Sequence, residues 1–246
     1  MKSKASLLSM AAVFALLLCL RINSLAQDVE PGFKSLFNGK DLTGWAGRMN
    51  HWSVQDGFIT GTTTLEDPAK GNNFLIAREG DTNLIVGDFE LRLSFRFQSE
   101  WGNSGIQYRS QDMGNSVVHG YQADMETGKD YTGILYEEGG RGIVASRGQK
   151  VVIRASAEDP NKHKIEVTGS IGDSKEIQDS IKPREWNDYA VIAKGNHLQQ
   201  WVNGKQTVDV TDEHEAKMAK SGILALQLHA GQPMKVQFKN IRIKMD

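Results

Sequence analysis

The sequence predicts an all-β fold, a two-sheet antiparallel sandwich, and three observations carry that expectation. Apolar and polar residues alternate along most of the chain, the period of a strand with one face on a core. Turn signals containing Gly and Asn separate these runs. Long helical periodicity is absent, as are internal repeats and low-complexity tracts. A barrel would share these features; the sandwich is preferred.

The first 26 residues stand apart. Lys2 and Lys4 precede the apolar run LLSMAAVFALLLCL, and Ser24 and Ala26 in NSLAQ supply small residues for cleavage after Ala26. This reads as a secretory signal peptide, which sends the mature chain, 27–246, to the periplasm or outside the cell. Arg21 and Asn23 close the apolar run short of a membrane span, which disfavours an uncleaved anchor. Leu18 before Cys19 disfavours lipid attachment, which expects a small residue there. Cys19 is the only cysteine, so the mature chain has no disulfide in an oxidising compartment. Stability must come from a core, and roughly 220 residues can build one as a single domain.

The strands follow in order. DFELRLSFRFQ alternates Phe89, Leu91, Leu93, Phe95 and Phe97 with polar residues, a strand with one wet face. NSGIQYRS places Ile106 and Tyr108 on one face and Gly105, Gln107 and Arg109 on the other. HGYQADME splits the same way, Tyr121, Ala123 and Met125 against Gln122, Asp124 and Glu126. TGILYEEGGRG ends a mostly apolar run with Tyr136, Glu137 and Glu138, then turns through glycines carrying Arg141. SAEDPNKHK reads as a loop, while DSKEIQDSI and DEHEAKMAKSG could each form a short, superficial helical turn. YAVIAKGNHLQQWVNGKQTVDV holds turns at Gly195-Asn196 and Asn203-Gly204, hence three strands joined as hairpins. SGILALQLHAG begins apolar on both faces, so it is central, and then turns polar at Gln227 and His229. MKVQFKNIRIK slips by one at Asn240, a β-bulge.

The charge balance excludes some partners. The chain has 29 Lys and Arg against 30 Asp and Glu, and Lys2, Lys4 and Arg21 leave with the signal peptide, for a mature charge of about −4. That argues against nucleic acid and anionic membranes and suits a neutral ligand such as a sugar. Gln107, Arg109, Gln122, Asp124, Gln227 and His229 could project from one sheet face into a sheltered concavity. Stranding such groups costs roughly 1–3 kcal/mol each, so they call for partners or ligands. Forks and amides satisfy sugar hydroxyls, and an exposed aromatic such as Trp101, before GNSG, would stack on a sugar ring. Simpler readings stand beside this one. The face could be solvated, Arg109 with Asp124 could be a structural ion pair, and His229 could be a core histidine. Trp45, Trp52, Trp186 and Trp201 read as core. The histidines show no metal-ligand spacing, YEEGG and DMETGKD match no calcium loop, and no nucleophile elbow or phosphate loop occurs.

LFNGKDLTGW, WSVQDGFITG, GDFELRLSFR and GNSGIQYR, followed by GYQADM, EWNDYAVIAKGN, WVNG and GILALQLHAG, resemble the 3-keto-disaccharide hydrolase family across Gly32–Lys244. The resemblance implies a concanavalin A-like or laminin G-like jelly roll that is secreted or periplasmic and acts on glycosides oxidised at C3. One departure is visible: the family strand often places its acid before its amide, whereas here Gln122 precedes Asp124. A C3 ketone acidifies the C2 proton, so one base, one enolate stabiliser and one acid suffice for elimination at C1 followed by hydration. On this reading His229 is the base and Arg109 stabilises the enolate, with a divalent metal ion as a possible aid. Asp124 orients His229 or Arg109, and Glu137 protonates the leaving oxygen. Gln107, Gln122, Glu126, Tyr136, Glu138, Arg141 and Gln227 contact the substrate, and Trp101 stacks on it. The alternatives are a non-catalytic carbohydrate-binding module and an ordinary glycosidase with two facing carboxylates.

Overall fold

The computed structural model describes residues 29–246; the expected signal peptide lies outside them. The chain forms two sheets. The larger has the strand order His163–Ser170, Gln149–Ala155, Lys205–Asp212, His197–Val202, Asn187–Lys194, Phe89–Phe97, Lys235–Met245, Phe58–Thr62 and Trp52–Gln55, with Lys34–Ser35 also paired to Lys235–Met245. The second runs Gly142–Ala145, Leu135–Glu138, Val117–Glu126, Asn103–Gly114, Gly222–Leu228, Asn73–Glu79 and Trp45–Ala46, with the short strands Thr82–Asn83 and Ile85–Val86 beside it. Pairing is antiparallel with one departure: Gln149–Ala155 runs parallel to Lys205–Asp212. A parallel neighbour needs a long crossover, and the chain supplies one through the edge strand His163–Ser170, the helix Ser174–Asp179 and two further strands.

The core lies between the sheets. Phe89, Leu91, Leu93, Phe95 and Phe97 alternate into it from one side, as the sequence predicts. Ile106, Tyr108, Tyr121, Ala123, Met125, Leu224, Leu226 and Leu228 enter from the other. Gly222–Leu228 is a central strand, flanked by Asn103–Gly114 and Asn73–Glu79, and is buried on both faces. Its second face carries Ile223 and Ala225, which join Phe74, Ile76 and Val118 in a small apolar cluster outside the main core.

The punctuation also matches the sequence. The three hairpin strands occupy Asn187–Lys194, His197–Val202 and Lys205–Asp212. Asn203 and Gly204 both take positive φ, 50° and 78°, as a tight hairpin turn requires. Asn240 has φ 58° where the register breaks between Lys239 and Arg242, the expected bulge. DSKEIQDSI yields one helix, Ser174–Asp179, capped by Asp173, whose side chain accepts from the Glu176 N–H. The helix is not purely superficial, because Ile177 is buried. DEHEAKMAKSG forms only a turn.

Two of the four tryptophans read as core are elsewhere. Trp45 and Trp52 are buried in the main core. Trp186 is half-buried, with the Lys239 ammonium 4.1 Å and the Arg96 guanidinium 4.6 Å from its ring centre. Trp201 is also half-buried and lines a groove with Arg92 and Arg242. Trp186 immediately precedes the strand Asn187–Lys194 and Trp201 lies within His197–Val202, on a face where an amphipathic ring is stable under a cation or an aliphatic stem. No helix among the described residues is long and apolar enough to cross a membrane.

Candidate functional site

Strand alternation builds a hollow on the face of the smaller sheet that points away from the core. Tyr121, Ala123 and Met125 face inward, so Gln122 and Asp124 face outward. Leu226 and Leu228 face inward, so Gln227 and His229 face outward. On the neighbouring strand Gln122 pairs with Tyr136 and Gly120 with Glu138, which sends Tyr136 and Glu138 to the same side. The resulting cavity, about 230 Å3, is lined by these six residues together with Asn72, Asn103, Tyr131, Ile134 and Ile143. It is smaller than the roughly 300–1,000 Å3 of a pocket that engulfs a drug-sized ligand, so it has room for one sugar ring rather than two.

Its electrostatics are specific. Asp124 is only 6 % exposed. Burial raises its carboxyl pKa well above the ordinary value, and the nearby Glu126 and Glu138 carboxylates push the same way, against the 2.9 Å hydrogen bond donated by the Met125 N–H. Asp124 therefore tends to stay protonated. Tyr136 is also raised, by desolvation and then by Glu138 and Asp124, so its phenol remains a donor. His229 is half-buried at the end of its strand, and its Nδ1 lies 2.5 Å from the carbonyl oxygen of Ala230. A carbonyl can only accept, so Nδ1 carries a proton, and in the neutral ring the lone pair is then on Nε2. Trp101 stands edge-on to this ring at 6.2 Å, behind the wall rather than in it.

The amides complete the lining. Gln107 is fully buried behind Gln122 and donates to its Oε1 at 2.7 Å. Gln227 donates from Nε2 to Glu138 at 3.1 Å. That fixes the orientation of its amide and leaves Oε1, in a residue with 0 % exposure, without a hydrogen-bond partner. A buried carbonyl in that state invites a donor from a ligand. Asn72 donates to Glu138 at 3.3 Å and accepts from the Ala230 N–H at 3.0 Å, tying Glu138 to the turn that holds His229.

Six predicted residues do not line the hollow: Gln107 and Trp101, which stand behind it, and Arg109, Glu137, Arg141 and Glu126. Arg109 was expected beside Gln107 and Asp124. It has φ 48°, at a break in the pairing with Gly222–Leu228, and this irregularity turns its side chain out of the alternation. Its fully buried guanidinium bonds the carbonyls of Gly87 at 2.8 Å and Gly195 at 2.6 Å, and Asp88 at 2.8 Å. Glu137 lies opposite Tyr121, so alternation sends it away from Tyr136 and Glu138. There it pairs with Arg141, which also holds Asp212 at 2.7 Å, while the Tyr121 hydroxyl donates to Asp212 at 2.5 Å. Glu126 folds back over its own loop and accepts from the N–H groups of Asp130 and Tyr131 at 2.6 and 2.7 Å.

Asn72, Asn103, Tyr131, Ile134 and Ile143 are lining residues not singled out from the sequence. For Asn72 a signal exists: in GNNFLIA, alternation places it with Phe74 and Ile76, on the face that Gln227 shares through its pairing with Phe74. Tyr131 and Ile134 arrive on a loop, where periodicity says nothing. Among the described residues no three His, Cys, Asp or Glu side chains converge to hold a metal ion.

Solved structures share the fold at low identity. A candidate glycosyl hydrolase from Parabacteroides distasonis ATCC 8503 superposes with TM-score 0.57 at 18 % identity, over 87 % of this chain and 99 % of its own. A carbohydrate-binding module, CBM66 from Bacillus subtilis, gives 0.51 at 13 %, over 81 % and 94 %. A galectin-like protein of unknown function from Bacillus subtilis gives 0.54 at 10 %, over 87 % and 94 %. None of the curated proteins matches the chain in sequence. The model of the 3-keto-alpha-glucoside-1,2-lyase-like domain matches residues 32–244, nearly all of the sandwich and every residue of the hollow, and the chain belongs to that family.

Proposed function

We propose that this protein is a secreted or periplasmic enzyme that cleaves 3-keto-glycosides, and that the hollow is its active site. One observation carries the reading: a deeply buried carboxyl whose pKa is raised by desolvation and an imidazole whose Nδ1 is tied to a carbonyl open into the same one-ring cavity. His229 Nε2 takes the C2 proton. The C2–H electrons form the C2–C3 enolate, and the negative charge rests on the C3 oxygen. The Tyr136 hydroxyl and the Asn103 amide, both in the lining, are the donors we assign to that oxygen, the role first given to Arg109. Collapse of the enolate forms the C1–C2 double bond and breaks the C1–O bond. Asp124 gives its proton to the departing oxygen, in the place first given to Glu137. Water then adds across C1 and C2, and the net result is hydrolysis. Gln122, Gln227 and Glu138 hold the ring hydroxyls.

An ordinary glycosidase would use Asp124 with Glu138. These lie on adjacent strands but four residues apart in register, which separates their backbones by about 13 Å along the strand. Glu138 already accepts from Asn72 and Gln227, and the elimination, which needs only one acid and one base, leaves it in that place and fits better.

The test is incubation with a 3-keto-glucoside and with its unoxidised parent, following release of the aglycone. Turnover of the keto form alone is expected. Turnover of the parent would establish a glycosidase instead, and binding of either without turnover would establish a carbohydrate-binding module.

A further inference from the structure

We infer that Tyr131 and Ile143 form a preorganised apolar rim that receives the leaving group, and that the preferred substrate carries an apolar or ring-shaped aglycone. This rests on the reading of the hollow as a keto-sugar site. The polar cavity, at about 230 Å3, is filled by one ring, so whatever is attached at C1 must lie at its mouth.

The mouth is apolar where the floor is polar. Tyr131 is 43 % exposed and Ile143 48 % exposed, although both line the cavity. The other large exposed hydrophobics among the described residues, such as Leu65, Ile85 and Val167, do not line it. Leaving two such side chains in water has a cost that cover by a ligand would remove.

Tyr131 is also held in place. Its loop spans two strand ends, Glu126 and Leu135, and would ordinarily be loose. Here Arg147 donates to the carbonyls of Lys129, Asp130 and Thr132 at 2.5, 2.9 and 2.9 Å. From the other side the Glu126 carboxylate accepts from the Asp130 and Tyr131 N–H groups. Five hydrogen bonds to two charged side chains fix the backbone of four consecutive residues, 129–132, around one exposed phenol. Ile143 comes from the edge strand Gly142–Ala145, paired with the strand that carries Tyr136. A rigid aromatic beside an aliphatic side chain is a platform on which a second ring can lie without further ordering.

The experiment compares two 3-keto-glucosides that share the sugar and differ in the aglycone, one methyl and one aryl. Affinity is measured by calorimetry and turnover by product release, for the wild type, Tyr131→Ala and Ile143→Ala. The expected result is a loss of about tenfold in kcat/KM and affinity for the aryl compound in each variant, the size of a lost aromatic or aliphatic contact. The methyl compound should change less than about twofold. Both side chains are exposed, so the variants should keep the wild-type melting temperature. Equal losses for both compounds, or none for the aryl compound, would overturn the rim while leaving the keto-sugar reading intact. Binding without turnover, with the aryl-selective loss still present, would retain the rim and overturn the reaction. A wild type that neither binds nor cleaves either compound would overturn both.

Discussion

At the residue scale the proposed reaction turns on Asp124. A protonated carboxyl and an amide have the same shape, so Asp124→Asn should fold as the wild type does. It should still bind substrate but lose about 10²–10⁴-fold in turnover, the usual contribution of a proton donor. The stability profile gives a second readout. The folded pKa lies above the unfolded value, so the folded chain binds the extra proton. The stabilisation is fully present below the ordinary carboxylate pKa of 3.8 and is lost as pH rises through the folded value. Unfolding in denaturant at stepped pH should show this decline in the wild type, and Asp124→Asn should flatten it. His229→Ala should also lose about 10²–10⁴-fold in turnover with sugar binding kept, and unchanged turnover would remove the base assignment. Six of the twelve site residues named from the sequence line the cavity. Those six obey plain alternation. Arg109 does not, because one positive φ rotated it off the face, and no residue type announced that bend; Asn or Gly would have, Arg does not.

At the element scale the edge hairpin Leu135–Glu138 and Gly142–Ala145 carries one wall of the cavity, and Arg141 anchors its turn. The Arg141 side chain is 2 % exposed and joins Glu137 to the buried Asp212. Arg141→Met would leave Asp212 buried with only the Tyr121 hydroxyl and nearby N–H groups, at a cost of about 3–5 kcal/mol. Adding Asp212→Asn should recover part of that loss, because the stranded charge goes with it, and a double-mutant cycle in urea measures the recovery. The hairpin was legible in YEEGGRG as a glycine turn, but the face of Glu137 was not. With Tyr136 and Glu138 beside it, three consecutive polar residues hide the period, and only the pairing with Tyr121 decides. Conversely, GILALQL was read correctly as central because apolar residues on both faces have no other explanation in a sandwich. Gly222 at its start is needed for space: a Cβ there would lie 2.4 Å from the Arg109 carbonyl carbon.

At the scale of the whole molecule, the sandwich was legible because period 2 dominates so much of the chain, and its closure without disulfides was forced by the single cysteine. The parallel pair was not legible, since it depends on how the chain returns after the helix and not on any local pattern. The loops over the cavity were equally opaque. Arg109 has the widest consequence. It belongs to the smaller sheet, yet it grips Gly87, Asp88 and the Gly195 turn, which lead into or join strands of the larger one. A rivet of that kind stops the two layers from sliding or breathing apart. Sugar capture should then proceed in one step: in stopped-flow mixing the observed rate should climb in a straight line with ligand concentration, with no plateau from a slow opening.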